Sequence, residues 1–331
     1  MAMHTFAHGN ATSVEEAVDA LNETTRPLAG GTDLIAMMKE KLIAPERLVN
    51  LKTIPGLDHV TKRSDGWHLG AMLTLSALAS APDVKADAAL ACLVQATVKS
   101  ASPQLRNMAT LGGNLVQRPR CWYFRNPEVP CWRKGGRRCF AYQGLNTYHT
   151  IFGPGPCYAV HPSDPAVALL ALDASVLVVS PRDRRTLSLG EFYVSPTPDR
   201  ARASGYHPVT VLDPDEMIVE VIIPMQSEGT QSAYAKAMER STWDFALVSA
   251  AVVLVASDDV VDDVRIALGG VATSPWRAEA AEAALKGQHL TPQTIADAAE
   301  AAVEDARPLE HNGYKVDLVK AVLQEALREV S

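Results

Sequence analysis

Four cysteines crowd into one stretch of this chain: Cys121, Cys131, Cys139 and Cys157, separated by nine, seven and seventeen residues. A thiolate is a soft ligand. Four of them together, in a chain that starts with no secretory signal, suit a metal centre better than disulfides. Zinc ribbons use close CxxC pairs, and none occurs here. A [4Fe–4S] cluster also takes four thiolates, although the spacing is not that of a ferredoxin run. Arg118, Arg120, Arg125, Arg133, Lys134, Arg137 and Arg138 stand here against one acid, Glu128. Such cations stabilise a negatively charged thiolate centre, and Trp122, Tyr123, Phe124 and Trp132 could shield it from water. Three other readings use the same residues: unligated thiols in a solvated loop, a zinc site, or a basic-aromatic grip on single-stranded nucleic acid. The net charge of -7 argues against the last. His149 is a candidate replacement ligand or supporting group, and His161 a capping or turn residue. Cys92, in AALACLVQATV, reads as a small core residue.

Two glycine pairs are the other chemical feature. Leu28-Ala-Gly-Gly-Thr-Asp-Leu34 is not a GxGxxG fingerprint, but two glycines let successive N–H groups point at one place, which suits a pyrophosphate. Ala109-Thr-Leu-Gly-Gly-Asn-Leu115 repeats the design, with Thr110 and Asn114 beside the pair. Read alone, the first is better taken as a strand-to-helix turn capped by Thr32, and the second as a tight turn. Asp164 reads as a helix N-cap before Pro165, and Lys236 as a solvated strand lysine.

The elements that must position these residues belong to an ordinary globular chain. It has 331 residues, 47% hydrophobic and 21% charged, enough for two or three domains. The mean hydropathy is -0.02, and no run approaches the ~20 apolar residues of a membrane span. Ser13, with Glu16 as capping-box partner, starts a helix over residues 14–21. Short strands at residues 26–28 and 48–51 alternate with helices, as in a small parallel α/β unit ending near residues 54–57. A strand over residues 66–70 follows, then helices at 75–79 and 86–100. Residues 116–160 lack periodicity, and a loop of that length is functional or held by something else. A helix over 166–173, strands at 174–180 and 216–223, and a solvated turn around Arg182, Arg184 and Arg185 complete the second block. Strands at 232–237, 246–256 and 260–268 and helices at 278–285, 291–303 and 316–330 form a third.

In this order, AGGTDL, SPQLRNMATLGGNL, HPSDPAVALLALDA, EMIVEVIIP, YAKAMERSTWDFALVSAAV and ALGGVATSPWRAEAAEAAL span nearly the whole chain. The set resembles the FAD-binding subunit of the xanthine dehydrogenase family of molybdenum hydroxylases. The cysteine-rich insertion resembles most the flavin subunit of periplasmic-type aldehyde oxidoreductases; xanthine dehydrogenase itself lacks it. The resemblance implies an α+β fold. A two-subdomain FAD-binding domain of the vanillyl-alcohol-oxidase type (residues 1–57, and 58–225 with the insertion at 116–160) precedes a smaller C-terminal α+β domain of the CO dehydrogenase flavoprotein type (226–331). It implies that Pro27, Leu28, Ala29, Gly30, Gly31, Thr32, Asp33 and Leu34 wrap the FAD pyrophosphate. Thr110, Leu111, Gly112, Gly113 and Asn114 continue that cradle, Asp164 hydrogen-bonds the cofactor, Ile218 packs on the flavin and Lys236 lies near its ring. It favours a [4Fe–4S] cluster on the four cysteines over zinc.

The implied function is electron transfer. A molybdenum–pterin catalytic subunit and a [2Fe–2S] subunit pass electrons to FAD on this chain, in a heterotrimer or a dimer of it, and FAD passes them to an external acceptor. No nucleic acid and no membrane span are involved, and this chain holds no catalytic residue of its own. A stand-alone FAD oxidase of the vanillyl-alcohol type and a non-enzymatic metal scaffold are the alternatives. The location is cytoplasmic on this sequence alone, or periplasmic if a partner carries the export signal.

Overall fold

The computed structural model describes residues 3–197 and 206–330; residues 1–2, 198–205 and 331, which fall within the three expected domains, lie outside it. The first unit is a three-stranded parallel sheet of β1 (Ala7–Asn10), β2 (Thr25–Leu28) and β3 (Arg47–Asn50), with β3 in the middle. Helices Val14–Ala20 and Leu34–Lys39 make the crossovers that parallel strands require. Ser13 caps the first helix by accepting the N–H of Glu16. Glu16 does not close the expected capping box: its carboxylate reaches one residue further back, to the N–H and hydroxyl of Thr12.

The second sheet comprises β4 (Val60–Arg63), β5 (Gly66–Gly70), β6 (Ser175–Val179), β7 (Arg184–Ser188) and β8 (Met217–Pro224). Its spatial order is β4-β5-β8-β6-β7, every pair antiparallel. The two-residue period divides the side chains of β6 between two cores, and a bulge in β8, where the register with β6 shifts at Leu177 and Val178, sets Ile218 on the same side as Val221 and Ile223. Leu177, Val179, Met217 and Val219 pack toward the first unit, with Val18, Val49 and Ile54. Val176, Val178, Ile218, Val221 and Ile223 pack toward helices Leu75–Ser80, Ala91–Val98 and Asp164–Ala171. The three arginines expected in a solvated turn have exposed or partly exposed side chains and also form ion pairs: Arg182 with Asp215, Arg184 with Glu15 and Arg185 with Glu216, the last two lying in β7.

The third sheet contains β9 (Gln231–Ala237), β10 (Val248–Ser257), β11 (Val260–Gly269) and β12 (Trp276–Arg277), antiparallel in the order β12-β11-β10-β9. The uninterrupted apolar run of β10 has a simple cause. Ala251 and Val253 enter the core under the middle helices, while Val248, Ala250, Val252 and Leu254 face helices Glu279–Leu285, Pro292–Ala301 and Tyr314–Glu329. Both faces are covered, so no polar alternation is required. The insertion has little regular structure beyond single turns at Trp122–Arg125 and Trp132–Lys134. Its far end is nonetheless tightly held. Ile151 and Phe152 are buried in the C-terminal core, Phe152 stacks on Trp276, and Val271 O accepts from the N–H groups of both.

Candidate functional site

The first glycine turn joins β2 to helix Leu34–Lys39. The N–H groups of Gly30, Gly31 and Thr32 donate to no group among the described residues. Each residue has its own reason to be there. Gly31 has φ +73, which a side chain resists, and a Cβ on Gly30 would lie 1.8 Å from Met108 O. Lys52 Nζ donates to Ala29 O across 3.0 Å. The helix N-cap is Asp33 rather than Thr32, and its carboxylate does not cap. It accepts instead from the Arg118 N–H at 2.8 Å, Arg120 Nη1 at 2.8 Å and Arg125 Nη2 at 2.7 Å. The cationic start of the insertion is thus tied to the turn by one carboxylate.

The second glycine pair is a single helical turn, Leu111–Leu115, capped by Thr110 through Gly113 N. Its backbone donors are consumed within the protein: Leu111 N by Leu73 O, Gly112 N by Ala71 O and Asn114 N by Thr110 O. It therefore offers no second cradle of open N–H groups, contrary to expectation. Its glycines allow close packing instead, since a Cβ on Gly112 would sit 2.9 Å from the Ala71 Cβ.

A groove of about 1370 Å³ runs between the two turns. Pro27, Ala29, Gly30, Gly31, Thr32, Asp33, Leu34, Thr110, Gly112, Gly113 and Ile218 line it, together with Arg26 and Arg118. Leu28, Leu111 and Asn114 do not: Leu111 is in the core, and Asn114 accepts from the Ser163 hydroxyl. Unpaired backbone donors beside arginines, next to an apolar wall, match a ligand with an anionic middle and a flat apolar end, as FAD has.

Asp164 lies outside the groove, in a second cavity of about 900 Å³ that Cys121, His149, His161 and Phe245 also line. Ser163, one residue earlier, is the helix N-cap, so the capping role expected for Asp164 is overturned. Asp164 accepts from Ser100 Oγ at 3.0 Å, Tyr234 OH at 2.6 Å and Lys236 Nζ at 2.9 Å. Lys236 is no solvated lysine either. Its side chain has no exposed surface, and it also donates to the carbonyls of Lys99 and Asp244. The strand period of 231–237 could have flagged Tyr234 and Lys236 as sharing a face; nothing in the sequence marks Ser100 as their neighbour.

All five cysteines are free thiols. Among the described residues, no three His, Cys, Asp or Glu side chains converge closely enough to hold a single metal ion. Cys157 nevertheless lies within electrostatic reach of Cys121, Cys131 and Cys139. Burial pushes the Cys121 thiol up to about 12 and raises those of Cys131 and Cys139, with neighbouring sulfurs adding to the effect. His149 Nε2 is 3.2 Å from Cys121 Sγ, close enough for either of the two roles expected of it. Burial lowers His149 to about 4 and His161 to about 3, so both rings are uncharged at neutral pH. His161 lies buried, edge-on to Tyr193, and its Nδ1 accepts from the Ser163 N–H just ahead of helix Asp164–Ala171, a local contact of the kind expected of a capping or turn residue.

Comparison with known proteins agrees with this architecture. Residues 4–226 match the FAD binding domain in molybdopterin dehydrogenase, and residues 233–330 match the CO dehydrogenase flavoprotein C-terminal domain. The chain is 37% identical over 309 residues to the aldehyde oxidoreductase FAD-binding subunit PaoB of Escherichia coli, covering 91% of this chain and 90% of that one. It is 28% identical to the carbon monoxide dehydrogenase medium chain of Hydrogenophaga pseudoflava, covering 95% and 93%. In three dimensions it superposes on a chain of reconstituted CO dehydrogenase from Oligotropha carboxidovorans with a TM-score of 0.78 at 25% identity, covering 100% and 99%. With its two glycine turns facing one groove and its three sheets in this order, the chain belongs to the FAD-binding subunits of the molybdenum hydroxylase family.

Proposed function

We propose that this chain is the flavin and cluster subunit of an aldehyde-oxidising molybdenum enzyme. The observation that carries the flavin part is the set of unpaired N–H groups on Gly30, Gly31 and Thr32 in a groove that Ile218 closes. Those three residues would hold the pyrophosphate, Thr110 and Gly113 would bound it, and Pro27, Leu34 and Ile218 would cover apolar portions of the cofactor. Asp164 would hydrogen-bond the cofactor from the second cavity, and Lys236 would act through Asp164 by fixing the position of its carboxylate. Bound FAD accepts electrons singly and delivers them in pairs, which suits a post between one-electron clusters and an acceptor. The protein's part is to bind and orient it and to exclude water.

Cys121, Cys131, Cys139 and Cys157 would ligate a [4Fe–4S] cluster. A four-iron cube holds its thiolates further apart than one zinc ion does, in keeping with four sulfurs that gather without meeting at a point. Cys121 and His149 line the cavity that Asp164 shares, so a cluster there would adjoin the flavin site. The partners would be a molybdenum–pterin catalytic subunit and a [2Fe–2S] subunit in a heterotrimer. The likeness to an aldehyde oxidoreductase subunit supports an aldehyde as the substrate of the complex.

Purification of the native complex tests this, with flavin, molybdenum, iron and subunit analysis. The expected result is one FAD per copy of this chain, molybdenum in a partner, and about four irons beyond the partner's [2Fe–2S] centres. A lone yellow chain that oxidises a substrate unaided would replace this reading with the stand-alone oxidase.

A further inference from the structure

Arg133 is 2% exposed, one of the largest fully buried side chains in the molecule. A guanidinium cannot shed its proton, so burial demands a counter-charge. Its neighbours in the insertion have one: Arg120 and Arg125 pair with Asp33, and Arg125 also with Glu40. Arg133 has no carboxylate partner among the described residues. Its side chain makes two contacts instead. Nη1 donates to Pro208 O at 3.0 Å, and Nε lies 3.3 Å from Cys157 Sγ. Cys157 is itself 5% exposed and packs with Trp132 and Ala159. The Trp132 ring stacks on His207 at 3.7 Å, and His207 N donates to Arg133 O, so the backbone on the Arg133 side of the contact is fixed.

A neutral thiol is a poor acceptor and brings no charge, so it would leave a buried cation uncompensated. A metal-bound thiolate keeps its negative charge and accepts strongly. We propose that Arg133 is the built-in counter-cation of a metal-bound Cys157 thiolate, and that its Nε–H···S contact raises the reduction potential of the centre. This rests on the cluster reading above and deepens it, because N–H donors to ligating sulfurs favour the reduced, more negative state. Arg133 is thus a positioning residue that tunes the centre through its ligand.

The test uses the native complex carrying Arg133→Gln and, separately, Arg133→Lys. Iron and flavin are counted, and the cluster is titrated with dithionite under electron paramagnetic resonance. Each titrated cluster takes one electron, with no bond made or broken. The expected result is full iron and flavin in Arg133→Gln with the cluster potential shifted downward, and partial return toward wild type in Arg133→Lys. Full iron with an unmoved potential in Arg133→Gln overturns the proposal and leaves the cluster reading intact. If Arg133→Gln cannot hold iron, retention in Arg133→Lys supports a need for charge. Equal loss in both shows that shape alone matters, and overturns it. A wild-type complex with no iron beyond its partner's sinks the cluster reading, and this proposal with it.

Discussion

Cys92 and Cys157 are both buried thiols, and their neighbours separate them. Burial pushes Cys92 up to about 12; its backbone N–H donates to Ser232 Oγ, and no sulfur lies near it. Cys157 has three other thiols within electrostatic reach and an arginine against its sulfur. On the proposed cluster, replacing Cys121, Cys131, Cys139 or Cys157 by Ala is therefore expected to strip most of its iron, while Cys92→Ala leaves the iron count unchanged. Metal analysis of the five purified variants decides this. At Gly31 the constraint is conformational. A Val there must adopt φ +73 at a cost of about 1–2 kcal/mol, with Ile35 and Leu28 only 3.2 and 3.3 Å from its Cβ. Gly31→Val is expected to lose FAD while keeping its far-ultraviolet circular dichroism. Full flavin occupancy would show that the turn is only structural.

At the scale of elements, helix Asp164–Ala171 and strand β9 are joined by the Asp164–Lys236 pair, with side chains 7% and 0% exposed. Removing one member leaves the other buried and unmatched, so Asp164→Ala is expected to destabilise the chain by about 3–5 kcal/mol. Asp164→Asn, which keeps the shape, should cost less. Urea unfolding measures both, and a loss below about 1 kcal/mol in the Ala variant would show that water reaches Lys236. This pair also marks where sequence reading ends. The helix that begins at Asp164 and the strand around Lys236 were legible from apolar runs, and the parallel first unit from alternating short strands and helices. The partnership was not, because Asp164 and Lys236 are 72 residues apart and each has a bland local role. The second glycine turn misled for a similar reason: Gly112 and Gly113 look like a phosphate loop in one dimension, but Leu73 and Ala71 claim the backbone donors in three. The four cysteines announced themselves by type alone; Arg133 was one cation among seven until its burial set it apart.

Across the whole molecule, the layers are locked by a few buried polar groups. Lys315, in the first turn of helix Tyr314–Glu329, is fully buried and donates to Gly270 O at 2.7 Å. Burial pushes its pKa from 10.5 to about 7. Below about pH 7 the lysine is charged folded and unfolded, and the folded chain bears the full cost of a buried ammonium. Between about 7 and 10.5 the unfolded chain binds the extra proton, so stability contributed by this group rises with pH. Lys315→Met is expected to flatten the rise of melting temperature between pH 7 and 10; an unchanged slope would assign it to other groups. The same region closes the insertion. Arg307 N donates to Ile151 O, and the Asn312 amide donates to the carbonyls of His149 and Thr150. Asn312 follows the two carbonyls it holds by 163 and 162 residues of chain. A nascent chain therefore exposes its cysteine segment long before the latch that seals it exists, and the proposed cluster would have to be loaded before helix Tyr314–Glu329 docks.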